Sequence, residues 1–462
     1  NKTFREYNVS KGICAPLLNV ERMRSLTIYI VRPGDTLYAI AQRYGVTADA
    51  LIFDNQISDP LRLVPGQALY IPVTSVSYTV RPGDSLYRIA RSYGITLGAL
   101  LDANPTISAV STLYPGQTIT VPFDDEQFGT ALVNGFATGS NAESIREALP
   151  YLTYLSPFSW SAGMDGRLTP PANAEPLREL AFPFRARRML TVTNLPAEGG
   201  GFNSDIAHAI FTDEAAQNNL IADLRRSLAE GGYAGAIFDF EYIYPNDRES
   251  YNQFLRRVTE ALHQEGYLVM TCLAPKISDT QVGTLYEAHD YAAHGQIVDY
   301  VILMTYEWGY TYGPAMAIAP VDQVRRVLDY AVTRIPSEKI LLGMPNYGYD
   351  WTLPFVEGSA ARAVSNTRAV EIAAQYGAEI QYDERMQAPF FNYYDEQGRR
   401  HEVWFDDARS IRARLTLIAE YGLAGLSYWT IDNLFRTQYL VLSSMFGISD
   451  PGGGAVETFS VW

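Results

Sequence analysis

From about residue 130 the chain alternates short apolar runs with stretches of helical period. The runs are ALVNGFAT from Ala131, LTYLSPFSW from Leu152, RMLTVTN from Arg188 and AGAIFDFE from Ala234. Four more follow: YLVMTCLAP from Tyr267, VDYVILMTYEW from Val298, ILLGMPNYGYDW from Ile340 and LAGLSYWTID from Leu423. Nearly continuous apolar runs of this length read as parallel strands buried on both faces. Eight strand–helix units over about 310 residues suit an α/β fold, a (β/α)8 barrel over residues 128–447. Most runs end in polar or aromatic residues, as expected if the C-terminal face holds a site. A doubly wound sheet is the alternative, but no glycine-rich phosphate loop follows the first run. The gap between the seventh and eighth runs exceeds one helix, so residues about 352–408 read as a small α+β insertion walling the cleft. Phe435 to Gly447 reads as the last amphipathic helix and 448–462 as a flexible tail.

The fourth run carries the chemistry. Within AGAIFDFEYI, Ala234 to Ile243, an apolar strand delivers Asp239 and Glu241. Carboxylates at the end of such a run are costly unless they face a polar cavity. On a strand, side chains two apart share a face, with Cα atoms about 6.5–7 Å apart. Two carboxyls that close perturb each other, and one is pushed towards staying protonated near neutral pH. That is equipment for general acid chemistry on an ether-like bond. Taken alone, a D-x-E at a strand end is more often a cap or an ion pair; the rest of the chain tips the balance.

Ahead of the barrel lies a repeat. YIVRPGDTLYAIAQRYGVTADALIFDNQI from Tyr29 matches YTVRPGDSLYRIARSYGITLGALLDANPTI from Tyr78, and each copy closes with a Pro-Gly-Gln turn and a short strand. A fixed period of this size means two copies of one small module, over 27–73 and 76–123. Each reads strand, turn, helix, helix, strand. Asp35 or Thr36, and Asp84 or Ser85, can cap the helix after the Pro-Gly turn. These residues resemble the LysM module over nearly every signature position. The resemblance implies small α+β domains that bind N-acetylglucosamine-containing glycans such as peptidoglycan and chitin. It places the sugar groove between Gly34, Asp35, Thr36, Leu37 and the segment at Asn55 and Ile57. In the second copy the groove lies between Gly83, Asp84, Ser85, Leu86 and the segment at Asn104 and Ile107. Turn and cap chemistry accounts for the loop residues equally well. Phe123 to Thr130 is a short acidic connector.

Composition narrows the partners. The net charge of −15 argues against nucleic acid, which needs a basic face. Thirty-two tyrosines and six tryptophans suit stacking on sugar rings, although most such rings serve as core or surface. Two cysteines, Cys14 and Cys272, make no disulfide framework, and Cys272 reads as a buried core thiol. The histidines and cysteines lack metal-ligand spacing, so no metal and no cofactor is expected. No apolar run is long enough to span a membrane. Residues 1–26 lack the apolar core of a signal peptide, and 1–22 read as an extension outside any domain.

The barrel segment resembles glycoside hydrolase family 18, the chitinase-like family. The family's strand-four signature, Asp-x-x-Asp-x-Asp-x-Glu, falls here on Ala234, Ile237, Asp239 and Glu241, so its last two acids are kept. MTYEW, Met304 to Trp308, the insertion before strand eight, and Trp429 on strand eight match as well. With the LysM pair, and with SPFSW, TVTN and HEVWFDD, the pattern resembles the spore cortex-lytic N-acetylglucosaminidases within the family. The resemblance implies a retaining mechanism without a protein nucleophile. Glu241 is the expected acid, then base. Asp239 holds the substrate's acetamido N–H, and Tyr306 its oxygen. Trp429 floors the sugar site, while Tyr242, Glu307 and Asn194 are supporting substrate-binding candidates. Ile237 is the departure: relatives often place an acid there that shares a proton with the next Asp, so Asp239 must be oriented by other neighbours. The expected partners are wall glycans, in peptidoglycan of the spore cortex or in chitin, with a spore- or wall-associated location. An endochitinase and an inactive glycan-binding lectin are the competing readings.

Overall fold

The computed structural model describes residues 26–73, 75–93, 95–108, 112–122 and 127–450. The expected extension 1–22, part of the acidic connector and nearly all of the tail lie outside the described residues. Eight parallel strands form the barrel: β1 Thr130–Ala137, β2 Tyr154–Pro157, β3 Arg187–Thr193, β4 Gly235–Asp239, β5 Leu268–Leu273, β6 Tyr300–Leu303, β7 Ile340–Pro345 and β8 Gly425–Trp429. Each pairs with the next, β8 returns to β1 and β3 joins β4, so the ring is closed. Closure leaves no barrel edge to be capped. The strands are buried almost throughout because helices cover the outside and side chains fill the inside. Met189, Ile237, Met270, Cys272, Ile302 and Leu341 pack together in one core cluster.

Close strand packing explains Gly235. A Cβ there would sit 2.0 Å from the Leu268 carbonyl oxygen, so only glycine fits at the base of β4.

Two of the apolar runs divide between elements. In the second, Tyr154–Pro157 joins the barrel, whereas Trp160–Ala162 makes a separate short strand beside β3. In the seventh, Ile340–Pro345 is barrel and Gly348–Leu353 opens the insertion. The break falls at Asn346, whose buried amide donates to the Thr430 and Asn433 carbonyls and turns the chain out of the barrel. The insertion is a five-stranded antiparallel sheet with a helix, Asn366–Tyr376.

The two repeat modules have the expected order. In the first, Leu26–Ile30 pairs with Ala68–Pro72 around helices Leu37–Tyr44 and Ala48–Asn55. In the second, Ser75–Thr79 pairs antiparallel with Thr118–Pro122 around Leu86–Tyr93 and Leu97–Asp102. The caps resolve to Thr36 and Ser85, which accept from the Ala39 and Arg88 amides. Asp35 and Asp84 instead close the Pro-Gly turns, each accepting from a backbone N–H and a tyrosine hydroxyl.

The first module is built onto the barrel body. The Arg436 guanidinium lies 3.8 Å from the centroid of the Phe53 ring and pairs with Glu147. The Gln56 side chain accepts from the Arg436 N–H and donates to the Leu434 carbonyl. Val64 is buried among insertion residues Ile372, Ile380 and Phe391. Gly66, at φ +83°, lies so near the Ile380 carbonyl that a Cβ would sit 1.8 Å from its oxygen. Apolar burial, charge-assisted hydrogen bonding and a cation–π contact act together at this seam.

Candidate active site

The C-terminal ends of β3, β4, β6 and β8 bring the sequence-predicted residues to one face. Asn194 follows β3, Asp239 ends β4, Tyr306 and Glu307 follow β6, and Trp429 ends β8. The regular strand stops at Asp239, so Glu241 stands in the turn beyond it. Phe240, between the two acids, is fully buried.

Two buried polar side chains hold that turn. Asn194 accepts from the Glu241 N–H at 3.0 Å and donates to the Glu241 carbonyl at 2.8 Å. Its remaining amide proton goes to the Asn203 carbonyl. From the other side His289 meets the Phe240 carbonyl at 3.0 Å through Nε2, while its Nδ1 lies 2.9 Å from the Ala274 N–H. A backbone N–H can only donate, so Nδ1 accepts and Nε2 carries the proton. Burial lowers the His289 pKa to about 4, which keeps the ring neutral and this tautomer in place. The Asn194 side chain thus holds the backbone of residue 241 at both its N–H and its carbonyl. Asn194→Ala is expected to lower kcat ~10- to 100-fold with little change in KM, because small misplacements of a reacting group are expensive. Steady-state kinetics on a glycan substrate checks this; a raised KM with unchanged kcat would return Asn194 to substrate contact.

The electrostatics favour one proton on the acid pair. Burial raises the Asp239 pKa to about 7, opposed by a hydrogen bond from the Cys272 thiol. Burial, then the neighbouring charges of Asp239 and Glu307, push Glu241 well above the usual carboxylate range. Glu241 is thus biased towards the protonated form, at the C-terminal mouth of the barrel. Tyr306 is also held protonated, first by burial and then by the surrounding acids, so its hydroxyl is a donor. Glu307 has φ +67° and accepts from the Tyr347 and Tyr349 hydroxyls. Its pKa is raised by burial and lowered by those two hydrogen bonds, with burial the larger effect.

Trp429 packs edge-to-face on Phe158 at 4.7 Å and Phe136 at 5.7 Å, half-buried against the barrel core. Tyr242 is 46% exposed beside Glu241, at φ +53°. His289, Cys272, Tyr347 and Tyr349 were not singled out as site residues. The NYGYD stretch offered a signal, since its tyrosines alternate at the end of a strand-like run. His289 and Cys272 offered none, because what matters is which backbone and which strand they face.

In the modules, Leu37 and Leu86 are core residues. The Asn55 amide ties its helix to the closing strand, bonding the Leu51 and Tyr70 carbonyls and the Tyr70 N–H. Asn104 does the same with Leu100 and Thr120. These four side chains shape the modules. Ile57 and Ile107 are half-buried. Among the described residues no group of acids, histidines or cysteines could hold a metal ion, and no helix is long and apolar enough to cross a membrane.

A closed parallel barrel with a pair of buried carboxyls at its C-terminal mouth is an arrangement that glycoside hydrolases use. The chain is a member of glycosyl hydrolases family 18, which it matches over residues 184–433, and carries LysM domains at 29–72 and 78–122. It is 45% identical to the cortical fragment-lytic enzyme of Bacillus subtilis, covering 92% of this chain and 99% of that protein. Identity to the Bacillus anthracis enzyme of the same name is 40%, over 92% and 100%. The crystal structure of the Bacillus megaterium spore cortex-lytic enzyme SleL superposes with a TM-score of 0.83 at 37% identity, covering 93% of this chain and all of that one.

Proposed function

We propose that this glycoside hydrolase cleaves β-1,4 bonds beside N-acetylglucosamine in spore-cortex peptidoglycan, using the substrate's own acetamido group as nucleophile. The observation that carries the reading is Glu241: a carboxyl kept protonated by burial and by Asp239 and Glu307, on a turn clamped from both sides. Glu241 protonates the leaving glycosidic oxygen. As that bond breaks, the acetamido carbonyl oxygen attacks the anomeric carbon and a cyclic oxazolinium ion forms. Asp239, as the anion, accepts the acetamido N–H and stabilises the developing positive charge. Tyr306 donates to the acetamido oxygen and holds it on line for attack. Glu241, now a carboxylate, takes a proton from the water that opens the oxazolinium, which restores the acid and retains the configuration.

Trp429 offers the sugar an apolar face, and Tyr242 and Glu307 line the approach. The two LysM modules keep the enzyme on the wall glycan, which raises the local concentration of cleavable bonds. The names of the similar Bacillus proteins support cortex over chitin as the polymer. Mass spectrometry of digests tests the choice: new reducing N-acetylglucosamine ends are expected from cortex fragments. Cleavage of chitin oligomers alone would replace this reading with that of a chitinase. Binding to both without cleavage of either would make the protein a lectin.

A further inference from the structure

On the interior face of β4 the residue two before Asp239 is Ile237, which has no proton to offer. Asp239 is nonetheless buried, 4% exposed, and its Oδ1 has no hydrogen-bond partner. Its neighbours follow from register. On the β3 side Asp239 stands opposite Thr193, whose hydroxyl is engaged with the Ser159 hydroxyl at 2.9 Å and the Trp160 carbonyl at 3.4 Å. On the β5 side Ile237 stands opposite Met270 and Phe238 opposite Thr271, so the next position faces Asp239 with Cys272. Thr271 points outward to Tyr251 and His294, while Met270 and Cys272 share the interior core with Ile237. The thiol is fully buried and, by that register, stands beside the Asp239 carboxylate.

We infer that Cys272 is a positioning residue for the reaction: its S–H donates to Asp239 from the neighbouring strand and keeps that carboxylate oriented and anionic where β4 itself supplies only Ile237. The inference rests on the catalytic reading of Asp239 given above. A thiol is a weak donor, suited to this place. It restrains one oxygen and leaves Oδ1 for the substrate's N–H. Its own pKa is raised by burial and by Asp239 and Glu241, so it stays a donor throughout the working range. The titratable groups that interact with Asp239 are Glu241 beyond the same strand, Cys272 on β5, Tyr306 after β6, and Tyr251 on the helix packed outside β5.

Removing the donor makes the Asp239 anion harder to form. In the full-length enzyme Cys272→Ala is therefore expected to move the acidic limb of the kcat/KM profile up by about half a pH unit or more. Cys272→Ser, which keeps a donor, should leave the limb at or below its original position. A Cys272→Ala profile that superimposes on the parent overturns the inference, since a packing defect alone lowers activity without moving the limb. A second readout needs no turnover. In a Cys14→Ala background, the infrared S–H stretch of Cys272 should lie at lowered, hydrogen-bonded frequency and return to that of a free thiol in Asp239→Ala. A free-thiol band in the parent rejects the hydrogen bond even if Glu241 proves to be the acid. A shifted band alongside full activity of Glu241→Gln retains the hydrogen bond and rejects the catalytic reading.

Discussion

Glu241→Gln is expected to lower turnover on the natural glycan by at least about 10²-fold, the usual range for losing a general acid. The amide keeps the shape of the side chain and the Asn194 clamp, which acts on the backbone of residue 241 rather than on its carboxyl. KM should change little, and most of the loss should fall in kcat. The deficit should shrink on aryl glycosides with good leaving groups, because such groups depart with less help from a proton. Once the acetamido group has attacked, the variant also lacks a base for water, so part of the loss should persist on those substrates. Comparing kcat on cortex fragments and on an aryl N-acetylglucosaminide measures both contributions. Activity close to the parent on both substrates would remove Glu241 from its role.

Asp239→Asn is expected to cost about 10²- to 10³-fold in kcat, comparable to losing a charge-stabilising group from a preorganised site. Asparagine can still meet the acetamido N–H through its oxygen. It brings no negative charge to the oxazolinium ion, so the loss should be electrostatic and not steric. The pH profile carries a second signature. The charge of Asp239 is one of the causes that raise the Glu241 pKa. With that charge gone, Glu241 should release its proton at lower pH, and the basic limb of the residual kcat/KM profile should move down. The limbs belong to the coupled pair and not to either acid alone, which is why the variant is needed to separate them. A basic limb that stays in place would mean that Asp239 is not an anion in the working enzyme.

Much of this was legible in the chain. Hydrophobic periodicity alone carried the barrel, because parallel strands buried on both faces leave continuous apolar runs. It also carried the inserted subdomain, because the stretch between the seventh and eighth runs is too long for one helix. The repeat at Tyr29 and Tyr78 specified two small modules. The acid pair stood out because Asp239 and Glu241 close an otherwise apolar strand. Periodicity misjudged the second and seventh runs: the second makes two separate strands of the barrel sheet, and the seventh serves two sheets. Apolar content reports burial and not which sheet does the burying, and at the seventh run the change is made by the amide of Asn346.

Residue types and their order along the chain thus determined the architecture, the modules and the candidate acid pair. Only the tertiary structure decided how that acid is held and tuned. Asn194 and Asn55 are both asparagines at the ends of short elements. One clamps the catalytic turn and the other ties a module together, because of the carbonyls that face them. His289 is neutral and useful because Ala274 and Phe240 lie on either side of its ring. Cys272 looks like any core thiol until the register of β4 and β5 sets it beside Asp239. Hydrogen bonds and pKa shifts depend on distance, direction and burial. Those are relations between strands that closing the barrel creates, and no spacing along the chain encodes them.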